Sequence, residues 1–208
     1  MPFTQEDNAL MDSIIARYPR SRSAIMPLLH LAQARDGYVT NDSINTIAAK
    51  LNLEAAEVTA VSTFYTQYKS APVGEYHVGV CINTLCAVMG GDAIYEAVAE
   101  HLGIGNGETT TDGKVSLERI ECNAACDYAP VVMANWEFYD NQTPQSAKDL
   151  VDSMRSGNPI PPTRGPKKLS TWKENSAVLA GINDGRAGEG VNAGPATLLG
   201  INAKKEGK

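Results

Sequence analysis

The sequence predicts a mixed protein, α+β grading into α/β: an N-terminal helical bundle, then a layer of sheet and helix, then an extended C-terminal tail. Three observations predict it. Apolar residues recur near the helical period through residue 70. From Pro72 the period falls to two, and strands begin to alternate with helices. From Gly157 onward the chain is too rich in Gly and Pro to build a core, with 9 of its 18 Gly and 5 of its 11 Pro in this last quarter. The expected segments are therefore 1–70, 71–156 and 157–208.

Four helices fill the first segment. Thr4 with Asp7 has the form of a capping box, and Leu10, Met11, Ile14, Ile15 and Tyr18 make a stripe that Pro19 stops. A second helix starts near Ser21 to Ser23, tolerates Pro27 in its opening turns, buries Ile25, Leu28, Leu29 and Ala32, and ends at Gly37. His30, between Leu29 and Leu31, is expected in the core. A third begins near Thr40 and Asn41 and carries Ile44, Ile47, Ala48 and Leu51; a fourth carries Val58, Val61, Phe64, Tyr65 and Tyr68. The third and fourth have a helix-turn-helix outline. Residues 54–68 hold two Glu and no basic residue, however, so a nucleic-acid reading has no cations to work with.

In EYHVGVC, Tyr76, Val78 and Val80 alternate with Glu75, His77 and Gly79, which reads as a half-exposed strand with His77 outward and Cys81 at its end. A helix within 87–103 follows, with Ile94, Val98 and Leu102 on one face and Gly103 closing it. The polar loop GNGETTTDG leads to a strand within 114–121 that ends at Cys122. PVVMANWEFYD reads as a hairpin turning near Asn135. TPQSAKDLVDSMRSG reads as a helix with Thr143 at the N-cap, Pro144 in the first turn, Ala147, Leu150, Val151 and Met154 buried, and Gly157 at the stop. A sheet covered by helices in this order is a thioredoxin-like layer. In the tail, Trp172, VLAGI and ATLLGI balance a solvated reading against an arm that orders on partners.

Charge is uneven. Residues 1–156 carry 10 Lys and Arg against 20 Asp and Glu, whereas 157–208 carry 8 against 4. The acidic body repels nucleic acid and anionic lipid. MPFTQEDNALMDS has no export-signal pattern, and no run of about 18 apolar residues predicts a membrane span.

The four cysteines form two pairs, C-x4-C in CINTLC (Cys81, Cys86) and C-x3-C in ECNAAC (Cys122, Cys126), each in a loop after a strand. Disulfides suit small secreted scaffolds rather than a chain of 208 residues without an export signal. Inert buried cysteines do not explain the pairing, and the C-x-x-C of a dithiol redox centre is absent. Metal ligation remains, as a structural zinc site or as a 2Fe-2S cluster. A two-iron core needs wider ligand loops than one ion, and plant-type ferredoxins also open with C-x4-C, so the spacing favours iron–sulfur while leaving zinc open.

The runs PVGEYHVGVCINTLCAVMGG and GETTTDGKVSLERIECNAACDYAPVVMAN resemble the thioredoxin-like 2Fe-2S subunit of respiratory complex I, an NADH:quinone oxidoreductase; SAIMPLLHLAQARDGYV and VSTFYTQY resemble that family's helical N-terminal region. The resemblance spans about residues 5–155 and leaves the tail uncovered. It implies that Cys81, Cys86, Cys122 and Cys126 ligate one 2Fe-2S cluster. It also implies partners, namely an NADH- and FMN-binding flavoprotein subunit and a neighbouring iron–sulfur subunit, and a peripheral place on the cytoplasmic face of a bacterial inner membrane. NAD-linked hydrogenases and formate dehydrogenases have related subunits, and a zinc-stabilised interaction module is the alternative without redox chemistry. The chain has no G-x-G-x-x-G of its own, so NADH chemistry falls to a partner. The family's second loop usually has glycine where this chain has Ala124, a change expected to alter hydrogen bonds to sulfur. With few cations near the ligands in sequence, a low potential is expected, about −400 mV or below.

Overall fold

The computed structural model describes residues 3–190 and 195–207. The chain divides into two compact units, Met1–Val73 with Ser170–Asp184, and Gly74–Leu169 with Gly185–Lys208.

The first unit is helical: α1 (Gln5–Ile15), α2 (Ile25–Asp36), α3 (Asn41–Leu51), α4 (Ala55–Phe64) and α8 (Trp172–Leu179), with a 3-10 turn at Ser21–Ala24. Local chemistry sets the ends. Thr4 and Asp7 cap α1 reciprocally, and the Thr40 hydroxyl accepts from the Ser43 amide at the start of α3. Gly37 ends α2 at φ 86°, a left-handed conformation that glycine adopts without a side-chain clash. Met11, Ile14, Leu28, Leu29, Ile47, Leu51 and Val58 form the shared core.

Two readings of this unit need correction. Helix α4 stops at Phe64, where Tyr65 turns to extended backbone at ψ 125°. Phe64 is 78% exposed and Tyr65 also lies open, while Tyr68 reaches the core beyond the helix and donates its hydroxyl to the Met26 carbonyl at 3.0 Å. The stripe therefore breaks after Val61. The second finding is α8, which sequence periodicity did not single out. It docks on α2 with Trp172 buried and its indole N–H donating to the Gly37 carbonyl at 2.7 Å. Buried Gln33 joins three segments: its amide donates to the Gln67 carbonyl and the Ser176 hydroxyl, and its oxygen accepts from the Lys69 amide. Truncating a buried tryptophan costs about 3–5 kcal/mol, so Trp172 holds α8 in this unit's core.

The second unit is a five-stranded sheet in the order β2-β3-β1-β4-β5: β1 (Tyr76–Cys81), β2 (Glu108–Thr109), β3 (Val115–Ile120), β4 (Val132–Ala134) and β5 (Glu137–Tyr139). Strands β1 and β3 are parallel, and every other pairing is antiparallel. Their connection runs through two helices, α5 (Thr84–Val88) and α6 (Gly91–Leu102). Helix α6 and the later α7 (Pro144–Arg155) cover one face, burying Tyr76, Val78, Val80, Val115, Leu117 and Val132 against Ile94, Val98, Leu150 and Met154. Asn135 and Trp136, at φ 48° and 69°, make the two-residue β4–β5 turn, the two left-handed residues of a type I′ hairpin. Helix α9 (Pro195–Lys205) follows in the tail. The VLAGI stretch ends in the helical unit with Ala180 buried, and ATLLGI lies in α9 with Leu199 and Ile201 exposed.

Strand β1 departs from the half-exposed reading. All six of its residues are buried, because it is central and the second face also packs, around Cys81, Ile120 and Met133. His77 is accordingly buried, with Nε2 2.6 Å from a Glu118 carboxylate oxygen and its ring beside Trp136.

His30 sits in the helical core with its ring 4.7 Å from Tyr68, and burial lowers its pKa from 6.5 to about 4. Above pH 6.5 the imidazole is neutral whether the chain is folded or not. Below it the unfolded chain takes a proton that the folded core refuses, so stability falls by about 1.4 kcal/mol per pH unit until the folded group titrates near pH 4. Urea unfolding of the full chain between pH 7 and 4 is expected to show this loss, about 3 kcal/mol in all, and His30→Leu to flatten that part of the slope. An unchanged slope in His30→Leu would assign the acid loss to other groups.

Candidate metal centre

The register of β1 on β3 places Cys81 beside Ile120, two residues before Cys122. Two parallel neighbours end together, so the loops that follow them leave the sheet at the same edge. The first loop turns immediately into α5, which carries Cys86. The second runs through Cys122 to a 3-10 turn, Cys126–Tyr128. All four predicted residues therefore lie at one end of the sheet. A side-chain bond ties the loops together: the Asn83 amide donates to the Glu121 carboxylate at 2.7 Å. Backbone bonds from Cys81 N–H to the Val131 carbonyl and from Ile82 N–H to the Ile120 carbonyl fix the first loop from beneath.

The two pairs differ in environment. Cys81 and Cys86 are buried with Ile120, Ala125, Ala129, Val131 and Met133, whereas Cys122 and Cys126 face solvent. Burial pushes the Cys86 thiol up to about 11, although the Val131 amide donates to it; Cys81 and Cys126 add to the rise. Cys126 is raised chiefly by Cys122, with Cys81 and Asp127 contributing. These influences link Cys81, Cys86, Cys122 and Cys126 as one electrostatic group. Raised in this way, the Cys86 and Cys126 thiols stay protonated at neutral pH until a cation replaces the proton.

The Cys122 and Cys126 sulfurs are 3.9 Å apart, close to the edge of about 3.8 Å that a tetrahedral metal gives two sulfurs at about 2.3 Å. Among the described residues, no three Cys, His, Asp or Glu side chains converge on a single metal-ion position. One donor of the second loop has an acceptor on a cysteine sulfur and another has none on the protein. The Ala124 N–H points at Cys122 Sγ from 3.3 Å, and the Asn123 side-chain nitrogen is buried with no protein acceptor. An amide buried inside an otherwise open ligand loop fits a group that brings its own acceptors.

Ala124 holds φ 53° to make this turn. The expected change at this position takes a definite form: alanine enters the left-handed conformation that glycine would favour, at a cost of about 1 kcal/mol, and still delivers its N–H to sulfur.

Two features lay beyond the sequence reading. The helix expected within 87–103 is α6, and a separate short helix that was not expected, α5, precedes it and ends at Val88, with Gly90 at φ 108° between the two. A Cβ on Gly91 would stand 2.5 Å from the Cys81 carbonyl oxygen and 3.0 Å from that of Cys86, so only glycine lets α6 begin against the ligand loop. The GG pair was the available signal. The other is Arg164, whose guanidinium reaches Asp127 and Asp140. It lies so far along the chain that spacing gave no sign of it.

Leu85, Val88 and Met89 are exposed on and just after α5. No helix among the described residues is long and apolar enough to cross a membrane.

Gly91→Ala is expected to lower stability by about 1–3 kcal/mol and reduce the metal bound per chain, measured by urea unfolding and metal analysis. Ala124→Gly is expected to raise the urea midpoint, by up to about 1 kcal/mol in stability, as the left-handed strain is relieved. A fall in that midpoint would mean that the Ala124 methyl contributes packing of its own.

Comparison with known proteins agrees with this geometry. Residues 11–155 match the family described as thioredoxin-like [2Fe-2S] ferredoxin. An NADH-quinone oxidoreductase subunit of Mycobacterium tuberculosis is 57% identical over 194 residues, which cover 93% of this chain and 77% of that protein. Its counterpart in the NADH-quinone oxidoreductase of Rickettsia bellii is 39% identical over 157 residues, covering 74% of this chain and 94% of that one. Among solved structures, an NAD+-reducing [NiFe]-hydrogenase in the air-oxidized state shares the fold, with TM-score 0.57 and 20% identity over 69% of this chain; the match spans only 25% of the hydrogenase chain. The chain belongs to the thioredoxin-like 2Fe-2S ferredoxin family and groups within it with these subunits of NADH-quinone oxidoreductase.

Proposed function

We propose that Cys81, Cys86, Cys122 and Cys126 ligate one 2Fe-2S cluster, and that the chain is an electron-transfer subunit of an NADH:quinone oxidoreductase that accepts single electrons from the FMN of the adjacent NADH-binding flavoprotein subunit. The observation that carries the reading is the convergence of two cysteine loops at the shared end of parallel β1 and β3. When bound, such a cluster would exchange single electrons, whereas nicotinamide gives up two together as hydride, so a flavin that takes the pair and releases it one electron at a time has to stand between them.

The chain's own residues divide the work. Cys81 and Cys86 would hold the cluster on the core side, where Ile120, Val131 and Met133 exclude water. Cys122 and Cys126 would hold it at the surface. Exposed Leu85, Val88 and Met89 give that end an apolar rim suited to a protein neighbour. The neighbours in this reading are an NADH- and FMN-binding flavoprotein subunit and a second iron–sulfur subunit, with the assembly on the cytoplasmic face of a bacterial inner membrane. The names of the relatives support the complex, and the missing dinucleotide fingerprint supports placing NADH and FMN on another chain.

The full chain purified without oxygen is expected to be red-brown, to contain two irons and two sulfides, and to give an EPR signal only when reduced. Its midpoint is expected at about −400 mV or below. A colourless chain with one zinc would replace the redox reading with a structural one. Each Cys→Ser change is expected to lower iron content, and capture of native partners is expected to recover a flavoprotein.

A further inference from the structure

The loop bearing Cys122 and Cys126 is open to solvent, yet immediately after Cys126 it is gripped from the side. Arg164 comes from the segment after α7, and its side chain is only 9% exposed. One guanidinium nitrogen lies 2.9 Å from Asp140 Oδ1, and another lies 3.7 Å from Asp127 Oδ2. The guanidinium carbon stands 4.5 Å from the centre of the Phe138 ring and 5.5 Å from that of Tyr128. Asp127 and Tyr128 are the two residues that follow Cys126 on the same 3-10 turn. Arg164 therefore meets that turn through both a carboxylate and a ring.

The arginine is itself held in place. The Thr163 hydroxyl donates to Asp140 Oδ2 at 2.9 Å, the Thr163 N–H donates to the Phe138 carbonyl at 2.9 Å, and the Tyr139 hydroxyl donates to the Ile160 carbonyl at 2.7 Å. Residues 160–164 thus lie fastened along β5. Asp140 is only 10% exposed on its side chain, so this is a desolvated ion pair rather than a mobile surface contact. Its planar fork and stacking rings suit arginine and not lysine.

We infer that Arg164 is a positioning residue for the cluster: it fixes the turn that presents Cys126, and its charge favours the reduced centre. The inference rests on the four-cysteine ligand reading. Reduction adds one electron to a centre already surrounded by thiolates and by acidic groups such as Glu121 and Asp127; Asp140 and Asp127 offset part of the guanidinium's field, but relative to a neutral side chain in its place the fixed charge of Arg164 favours the reduced form. Sequence proximity gave the ligands few cations; the fold supplies one from the far side of α7.

The test uses the full chain prepared without oxygen as wild type, Arg164→Gln and Arg164→Lys, with redox titration followed by EPR and with iron loss to a chelator timed separately. In Arg164→Gln the reduced-to-oxidised ratio at a fixed solution potential is expected to fall by about three- to tenfold, tenfold being about 59 mV for a one-electron couple, and iron to leave faster. Arg164→Lys keeps the charge and loses the fork, so its ratio is expected within about twofold of wild type while iron loss stays fast. If the centres that Arg164→Gln retains show the wild-type ratio and g-values, the residue is merely structural and the inference is overturned. Should Arg164→Gln hold no cluster, Arg164→Lys decides: wild-type iron retention, or a ratio as low as tenfold below wild type, overturns it. A wild-type chain without a cluster overturns the ligand reading, and this inference with it.

Discussion

The parallel pairing of β1 with β3 is the constraint on which the site depends. In an antiparallel pair, the loops that follow two neighbouring strands leave at opposite ends of the sheet. In a parallel pair they leave together, and here they take one cysteine pair each. Parallel pairing in turn requires a crossover, supplied by α5 and α6. One connection therefore closes the sheet, covers its face through α6, and carries Cys86 on α5. Gly91 lies where these demands meet, since α6 can begin against the Cys81 and Cys86 carbonyls only without a side chain there.

The halves of the site are built on different principles. Apolar packing and backbone bonds within the sheet hold the first loop, so its cysteines are buried. The second loop, exposed at both cysteines, relies on polar fastening: Asn83 to Glu121 before Cys122, and Arg164 to Asp127 after Cys126. Between them the chain accepts Ala124 in a left-handed conformation. Local strain of this kind persists where the surroundings over-determine the backbone, and here both flanks of the loop are tied down.

Legibility in the sequence followed the range of the physics. Where neighbours within four residues decide an outcome, it was readable: the Thr4, Thr40 and Thr143 caps, the Gly37, Gly103 and Gly157 stops, the Asn135 turn, and the apolar stripe of α7. The cysteine pairs were readable as candidate ligands because their spacing is local, and the structure brings both loops to one end of the sheet. Distant packing was not. His77 alternates like a surface residue, yet β1 is central and its second face is packed as well. Phe64 and Tyr65 have helical spacing, but the backbone leaves the helix before that spacing can bury them. Trp172 stood out in the tail as an unplaced anchor. Its acceptor is the carbonyl of Gly37, whose left-handed cap was itself predicted, but no local rule joins residues so far apart. Arg164 is the same case in electrostatic form.

Arg164 changes how the charge of the body bears on the site. An excess of acids over residues 1–156 suggests, when averaged, a uniformly negative setting for a negatively charged cluster. Exposed acids act weakly, however, because water and salt screen them within about 10 Å. A desolvated guanidinium between Asp140 and the turn that bears Cys126 is screened far less, and its stacked, hydrogen-bonded fork keeps it at fixed range. Net charge therefore describes how the body meets distant polyions, whereas the electron affinity of the centre is set by the few groups whose positions cannot relax when the electron arrives. For the proposed centre, the group of that kind beside Cys126 is the arginine that the segment after α7 brings back to the turn.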